Sequence, residues 1–374
     1  MNMIPQGKIS GAQLTALLIF CRLEPVTLLC PTVTLVKQTP VAWTNDLLGG
    51  LVSCVLVFFI VKLSLKFPDQ TIVEYLPVLF GKVLGNTASA VFLLAAIIIT
   101  AITARTFAET VGITMLPTTP ILVSFFLPLL LEANVLRGGL EVLARLAGFI
   151  VVPFILGLLC IAVLPYDMVQ FGYLQPFYFP DGWFDLIPPT ASVISYFTEF
   201  IIIGMVIPYL DRPQDAVRYS LLAVLITSSM MVLQCVALTS VFGPLVPHLT
   251  LPAYSLSRVI SVGGFFEGFE VVLTMFFLFG AGIKGAFFLW AAAEGLSQLL
   301  GLRSSKQLVY PLAVIAGALG VWFFSGTIDL VNFLRKPFAI FCLVGIITYL
   351  LTAYAAARLI QPNSARRGEA QSDG

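Results

Sequence analysis

The chain has 374 residues, of which 59% are hydrophobic and 10% are charged, with a mean hydropathy of +1.00. Soluble globular domains carry roughly 25% charged residues. The composition of this chain therefore excludes a soluble globular domain and indicates a membrane protein. The formal net charge of +1 gives no reason to expect a nucleic-acid partner. The six cysteines are scattered singly in apolar segments, which argues against a disulfide framework or a metal site.

Ten apolar runs approach the roughly 20 residues that a helix needs to cross about 30 Å of hydrocarbon. Backbone groups in lipid must pair within their own segment, so each run is predicted to be an α-helix. The predicted spans cover residues 10–34, 44–63, 84–110, 118–135, 142–165, 188–210, 217–242, 266–292, 307–325 and 336–358. The N-terminus lacks a signal-peptide pattern, so we expect the first helix to be retained.

The basic residues predict the orientation of these spans. Most of the twenty Lys and Arg residues fall on the side that holds the N-terminus, which predicts cytoplasmic N- and C-termini. An even number of spans divides into two five-helix repeats of opposite orientation, at about 8–165 and 186–360. Both repeats belong to one predicted membrane domain, residues 1–362. The polar tail, residues 363–374, is predicted to be disordered.

Charged and helix-breaking residues interrupt the first span of each half. Arg22, Glu24 and Pro25 lie in span one, and Thr198 and Glu199 lie in span six. An ionised side chain at the centre of a membrane helix costs about 2.5–3.5 kcal/mol. Proline removes one helical hydrogen bond, so unwinding is predicted near residue 25. Two breaks at matching positions favour a ligand site at mid-membrane depth.

The same charges also suit a structural network, and the sequence leaves both interpretations open. Arg22 and Glu24 suit pairing with each other, or pairing with Glu199 and Lys284, the latter in the middle of span eight. Glu199 also suits a neutral form bonded to freed backbone carbonyls, and Lys284 suits snorkelling to the membrane surface. The residues predicted to contact a ligand are Arg22, Glu24, Pro25, Val26, Ile99, Phe197, Thr198, Glu199, Ile283 and Lys284.

Two further pairs of charged residues are predicted near the outer membrane face. Arg105 and Glu109 are four apart on span three, which suggests a salt bridge or an extracellular gate. Glu267 and Glu270 are three apart, so they share a helix face; they suit solvent, pairing with Arg258 or a partner subunit. The single histidine, His248, is predicted to be a surface residue.

Four segments resemble one known family. They are FPDQTIVEYLPVLFGKVLG (67–85), GLEVLARLAGFIVVPF (139–154), FFEGFEVVLTMFF (265–277) and LWAAAEGLSQLLGL (289–302). In this order they resemble segments of the B subunits of spore germinant receptors, in the amino acid–polyamine–organocation superfamily. The chain departs from that family at Glu24 and Val26, where its first helix usually has glycines, and at Gly268, where an arginine is usual.

The resemblance implies an all-α, LeuT-like fold of ten transmembrane helices, with discontinuous helices 1 and 6. It implies a nutrient-sensing subunit in the spore inner membrane, partnered by an A-type membrane subunit and a C-type lipoprotein subunit. The expected germinant is a small polar molecule, an amino acid, bound between spans one, three, six and eight. No enzyme motif is found, and no cofactor is expected. An ion-coupled transporter using Glu199 or Glu24, and a non-binding scaffold subunit, are the alternatives.

Overall fold

The computed structural model describes residues 7–28, 39–175, 183–249, 251–261, 268–335 and 337–372, and that part of the chain is nearly all helical. The α-helices are α1 (Gly11–Leu28), α2 (Trp43–Ser64), α3 (Ile72–Phe80), α4 (Lys82–Thr114), α5 (Ile121–Leu136), α6 (Leu140–Val163), α7 (Ile187–Phe197), α8 (Ile203–Val206), α9 (Ala216–Phe242), α10 (Pro252–Arg258), α11 (Phe269–Leu300), α12 (Lys306–Phe323), α13 (Thr327–Arg335) and α14 (Pro337–Ser372). The 3-10 helices are Thr39–Val41, Tyr166–Met168, Phe171–Leu174, Trp183–Leu186, Thr198–Ile202, Ile207–Tyr209, Pro213–Asp215 and Gly243–His248.

Eight helical segments of the described residues are long and apolar enough to cross a membrane. They are Trp43–Ser64, Lys82–Thr114, Leu140–Met168, Phe184–Tyr209, Pro213–His248, Phe269–Leu300, Lys306–Phe323 and Ile328–Arg358. Two shorter apolar helices, Gly11–Leu23 and Ile121–Leu136, coincide with predicted spans one and four. The chain is therefore a multi-pass helical membrane protein, as its composition predicted.

The first helix corrects one expectation. Helix α1 is α-helical from Gly11 to Leu28, so the backbone does not unwind between Arg22 and Pro25 as predicted. Pro25 removes a single intrahelical hydrogen bond, and membrane helices tolerate that loss because neighbouring groups satisfy the freed carbonyl. Residues 29–38, which complete the predicted span, lie outside the described part of the chain.

The sixth span is discontinuous at the predicted place. Helix α7 ends at Phe197, a 3-10 segment follows from Thr198 to Ile202, and α8 then covers only Ile203–Val206. A second 3-10 turn, Ile207–Tyr209, ends the span. Runs of 3-10 helix inside a longer helix often mark a hinge or a functional site, because their hydrogen bonds are weaker.

Helix α1 lies at the centre of the molecule, packed against α6, α9 and α11. Phe20 of α1 contacts Phe154 of α6 with ring centroids 5.0 Å apart, and Phe154 meets Phe276 of α11 at 6.1 Å. Each such aromatic pair contributes about 0.5–1.5 kcal/mol beyond the area that it buries. This apolar centre fixes α1 beside the break in span six.

A close approach between α2 and α7 depends on a glycine. A Cβ atom at Gly49 of α2 would lie 2.5 Å from Cγ1 of Val193 on α7, so no other residue fits without moving a helix. Small residues at such crossings let membrane helices pack closely. The first half of span six is thereby held directly against α2.

The N-terminal segment is tied to the end of span six. The amide of Ile9 donates to the carbonyl of Tyr209 at 2.8 Å, and the amide of Asp211 donates to the carbonyl of Ile9 at 3.0 Å. Ile9 and Leu210 thus form an isolated parallel bridge. These bonds join the start of span one to the end of span six, at the side of the membrane predicted to be cytoplasmic.

The last helix, α14, continues to Ser372 and so includes residues for which the sequence predicted disorder. A helix that has already formed can be extended at little cost per residue, because the unfavourable step is nucleation. This explains how a polar tail follows the apolar span with the same backbone conformation.

Candidate functional site

A buried ion pair joins the break in span six to α11. The ammonium of Lys284 lies 3.0 Å from Oε2 of Glu199 and donates to Oε1 at 3.2 Å. The two side chains are 4% and 3% exposed, so Lys284 does not snorkel to the membrane surface. Removing one partner of such a pair typically costs 3–5 kcal/mol, because it leaves a buried charge uncompensated.

Arg22 of α1 is fully buried beside this pair. Its guanidinium carbon lies 5.0 Å from the ring centroid of Tyr196 and 4.7 Å from that of Phe197. Arginine over an aromatic face gains roughly 2 kcal/mol or more where water is excluded. Arg22 also attracts Glu199 electrostatically. The guanidinium therefore lies in the electrostatic field of the Glu199 carboxylate, which Lys284 contacts directly.

Asp46 extends the cluster to α2. This carboxylate is 3% exposed, lies in the field of Arg22 and contacts the thiol of Cys235 on α9. The order of charges is then Asp46, Arg22, Glu199 and Lys284, which alternates in sign. Each ion has an opposite charge beside it, which is the condition under which buried charges are tolerated.

A small cavity opens onto the ion pair. It has a volume of about 10 Å³ and its walls come from α4, span six, α11, α13 and α14. The lining residues are Ile99, Ile102, Thr103, Thr106, Tyr196, Glu199, Lys284, Leu334 and Phe338. A space of this size holds about one water molecule. The structure is therefore closed around Glu199 and Lys284.

The other predicted site residues are distributed as follows. Thr198 donates its hydroxyl to the carbonyl of Ser195 at 2.6 Å, and the thiol of Cys342 approaches it. Ile283 lines a different space, a groove between α4, α5, α6 and α11. The side chains of Glu24, Pro25 and Val26 lie outside the described part of the structure, although their backbone is helical.

The charged pairs near the outer face have different outcomes. Arg105 donates to Oε1 of Glu109 through Nη2 at 2.6 Å and Nε at 2.9 Å, as the spacing suggested for a salt bridge. Glu267 lies outside the described residues, and Glu270 is half-buried in the first turn of α11. His248 is exposed, as expected.

Three buried carboxylates were missed by the sequence reasoning. Asp46, Glu132 and Glu294 are each 3–4% exposed. Asp46 and Glu132 lie within predicted spans. The high cost of a charged side chain inside a membrane helix, which drew attention to Glu199, applies equally to them. Glu294 follows the predicted end of span eight, and its carboxylate accepts a hydrogen bond from Tyr209 at 3.1 Å.

Comparison with known proteins gives a consistent family relationship. The model of a family described as "Spore germination protein" matches residues 8–321. The chain is 27% identical to spore germination protein YndE of Bacillus subtilis over 85% of this chain and 86% of YndE. It is 24% identical to spore germination protein KB of the same organism, over 83% of each chain.

The fold is that of LeuT-type transporters. MhsT, solved in complex with L-phenylalanine, superposes with a TM-score of 0.66 over 95% of this chain and 93% of MhsT, at 12% identity. A Na+-coupled sialic acid symporter superposes with a TM-score of 0.63 over 91% and 79% of the two chains, also at 12% identity. At such low identities the similarity establishes a shared fold only.

Proposed function

Because this chain belongs to the spore germination permease family, we propose that it is the nutrient-sensing subunit of a germinant receptor. It would act in the spore inner membrane together with an A-type membrane subunit and a C-type lipoprotein subunit. Its relatives include spore germination proteins KB and B2 of Bacillus subtilis, which supports a role in such a complex. The ligand would be a small polar germinant, an amino acid, bound at mid-membrane depth.

The observation that carries this proposal is the Lys284–Glu199 contact beside Arg22 at the break in span six. Both charges face a cavity, both are within reach of a zwitterion, and the 3-10 segment that bears Glu199 can change shape more readily than a regular helix. MhsT, with the same fold, was solved with L-phenylalanine, which supports an amino acid as a ligand of suitable size.

Signalling would follow from a shift between two conformations. The closed cavity of about 10 Å³ excludes an amino acid, so binding requires a more open state. A ligand that binds the open state more tightly shifts the population towards it, and one without that preference gives no signal. The A-type subunit would detect the open state.

We also propose ten membrane crossings, arranged as two inverted repeats of five, with both termini in the cytoplasm. The eight long apolar helices and the two shorter ones support this number. The interrupted sixth span, at the start of the second half, supports the inverted arrangement. The role of Arg105 and Glu109 as an outer gate stays a prediction.

The test uses spores that carry Glu199→Gln or Lys284→Met in place of the wild-type chain. We expect a loss of the response to amino acids, measured as the fall in optical density, while immunoblots show unchanged levels of all receptor subunits. Glu141→Gln is the matched control, because it makes the same chemical change at an exposed i,i+4 salt bridge with Arg145. An unchanged response of both site variants to every nutrient would favour a scaffold subunit instead.

A second candidate is an ion-coupled transporter, which the shared fold with a Na+-coupled symporter favours. Purified protein in liposomes would then accumulate a radiolabelled amino acid, and an uncoupler or removal of the sodium gradient would dissipate the accumulation. Binding without accumulation supports the receptor.

A further inference from the structure

A groove of about 380 Å³ lies on the membrane-facing side of the molecule, between α4, α5, α6 and α11. Its rim is formed by Leu131, Met275 and Phe279, which are 58%, 48% and 50% exposed. These residues lie on apolar helices, where lipid rather than water surrounds the protein. A ligand would therefore enter this groove from the bilayer, not through the cavity at Glu199.

Among the described residues that line the groove, Glu132 alone has an ionisable side chain. It is 4% exposed and lies on the last turns of α5. Its carboxylate packs on the backbone of α11 at Gly285, where a Cβ atom would meet Oε1 at 2.5 Å and Oε2 at 2.7 Å. A glycine at this point of α11 leaves the room that the carboxylate occupies.

The dimensions and chemistry of the groove match those of a small-molecule site. Such sites measure about 300–1,000 Å³ and are lined by apolar side chains with a few polar groups that orient the ligand. A carboxylate in a membrane segment is costly and commonly marks a functional position. It offers about four acceptor positions, so contacts with neighbouring residues leave acceptors for a ligand.

We propose that this groove binds a lipophilic primary amine that partitions into the bilayer. The apolar body of the amine fills the space between Leu131, Met275 and Phe279, and its ammonium donates to the carboxylate of Glu132. The charge of the ligand follows from the single acidic group, and the size of its body follows from the volume. This site is separate from the Lys284–Glu199 contact and does not depend on the proposed germinant.

The probe for this site is tritiated 2-phenylethylamine, with full-length protein in lipid nanodiscs. We expect saturable binding that unlabelled 2-phenylethylamine displaces and that 2-phenylethanol and 3-phenylpropionate, of similar size, displace at least tenfold more weakly. Glu132→Gln should weaken binding by about tenfold, the loss that follows removal of one charge-assisted hydrogen bond. Equal displacement by the alcohol would overturn the amine specificity.

Gly282 gives a second variant that leaves the carboxylate intact. Gly282 lines the groove, and a Cβ atom there would have no heavy atom within 4 Å, so the side chain of Gly282→Leu has room to enter the groove and occupy it. We expect it to abolish binding. Gly112→Leu, also without neighbours within 4 Å but outside the groove, is the matched control and should bind normally.

Glu199→Gln separates this site from the central one and should leave amine binding unchanged. A thermal scan of each variant reports whether it folds. If Glu132→Gln does not fold, the binding measured for Gly282→Leu decides the result. The absence of saturable binding to the wild-type protein, or normal binding by Gly282→Leu, would refute the proposal.

Discussion

The contact between Lys284 and Glu199 makes a quantitative prediction about stability. Glu199→Gln and Lys284→Met each leave a charge in a space from which water is largely excluded, since both side chains are less than 5% exposed. Each substitution should cost about 3–5 kcal/mol. At roughly 2 °C per kcal/mol for a chain of this size, the midpoint of thermal unfolding should fall by about 6–10 °C.

The two substitutions should not have equal effects. The carboxylate of Glu199 balances two cations, Lys284 and Arg22, whereas loss of the ammonium leaves Glu199 beside Arg22. Glu199→Gln should therefore be the more destabilising of the two. The double variant should recover most of the lost stability, because replacing both ions of a buried pair is often neutral.

The assay is intrinsic-fluorescence thermal unfolding of the purified protein in detergent, for the wild type, both single variants and the double variant. Glu141→Gln, at an exposed pair, should change stability by less than about 1 kcal/mol. If the losses of the two single variants simply add in the double variant, the two residues are not coupled and the reasoning fails.

Three further predictions use the same unfolding assay. Gly49→Ala should destabilise the protein by about 1–3 kcal/mol, because its Cβ would lie 2.5 Å from Val193, whereas Gly112→Ala should have little effect. Tyr209→Phe should lower the free energy of unfolding by about 1.5–3 kcal/mol, because it removes the hydrogen bond to Glu294. The same change at the exposed Tyr166 should have no measurable effect, and equal effects of the two changes would contradict the role of that bond. Burial raises the pKa of Tyr75, on α3 between the spans, to about 12, so the folded protein keeps this phenol neutral after the unfolded chain has ionised it. The wild type should therefore lose about 1.9 kcal/mol more stability than Tyr75→Phe as the pH rises from 10 to 12, and parallel curves would refute this assignment.

The sequence was most informative where a charge interrupts an apolar span. Glu199 and Lys284 are 85 residues apart, yet both had to find a partner inside the membrane, and the structure brings them together. The break at Thr198 was predictable for the same reason. The family, the helical class and the transporter fold followed from composition and from motifs spread along the chain.

Other features required three-dimensional information. Pro25 suggested an unwound helix, but a proline costs one hydrogen bond, and the packing of α1 against three helices outweighs that local preference. Asp46 lies in the first turn of α2, and only the tertiary structure places it in the electrostatic field of Arg22. Glu132 depends on Gly285 for its position, and no sequence period links residues on separate helices.

The charge cluster connects stability with ligand recognition. The Lys284–Glu199 contact fills the polar part of the cavity, so an amino acid that reached both groups would have to replace this contact. The free energy that holds the closed state together is then subtracted from the affinity for the ligand, because only the open fraction binds.

Weakening the pair without removing either charge should therefore raise sensitivity to a germinant. Lys284→Arg is the suitable change, since it keeps the charge but alters the point contact at 3.0 Å. A lower germinant concentration for half-maximal response would support this coupling, and an unchanged concentration in a normally assembled receptor would contradict it.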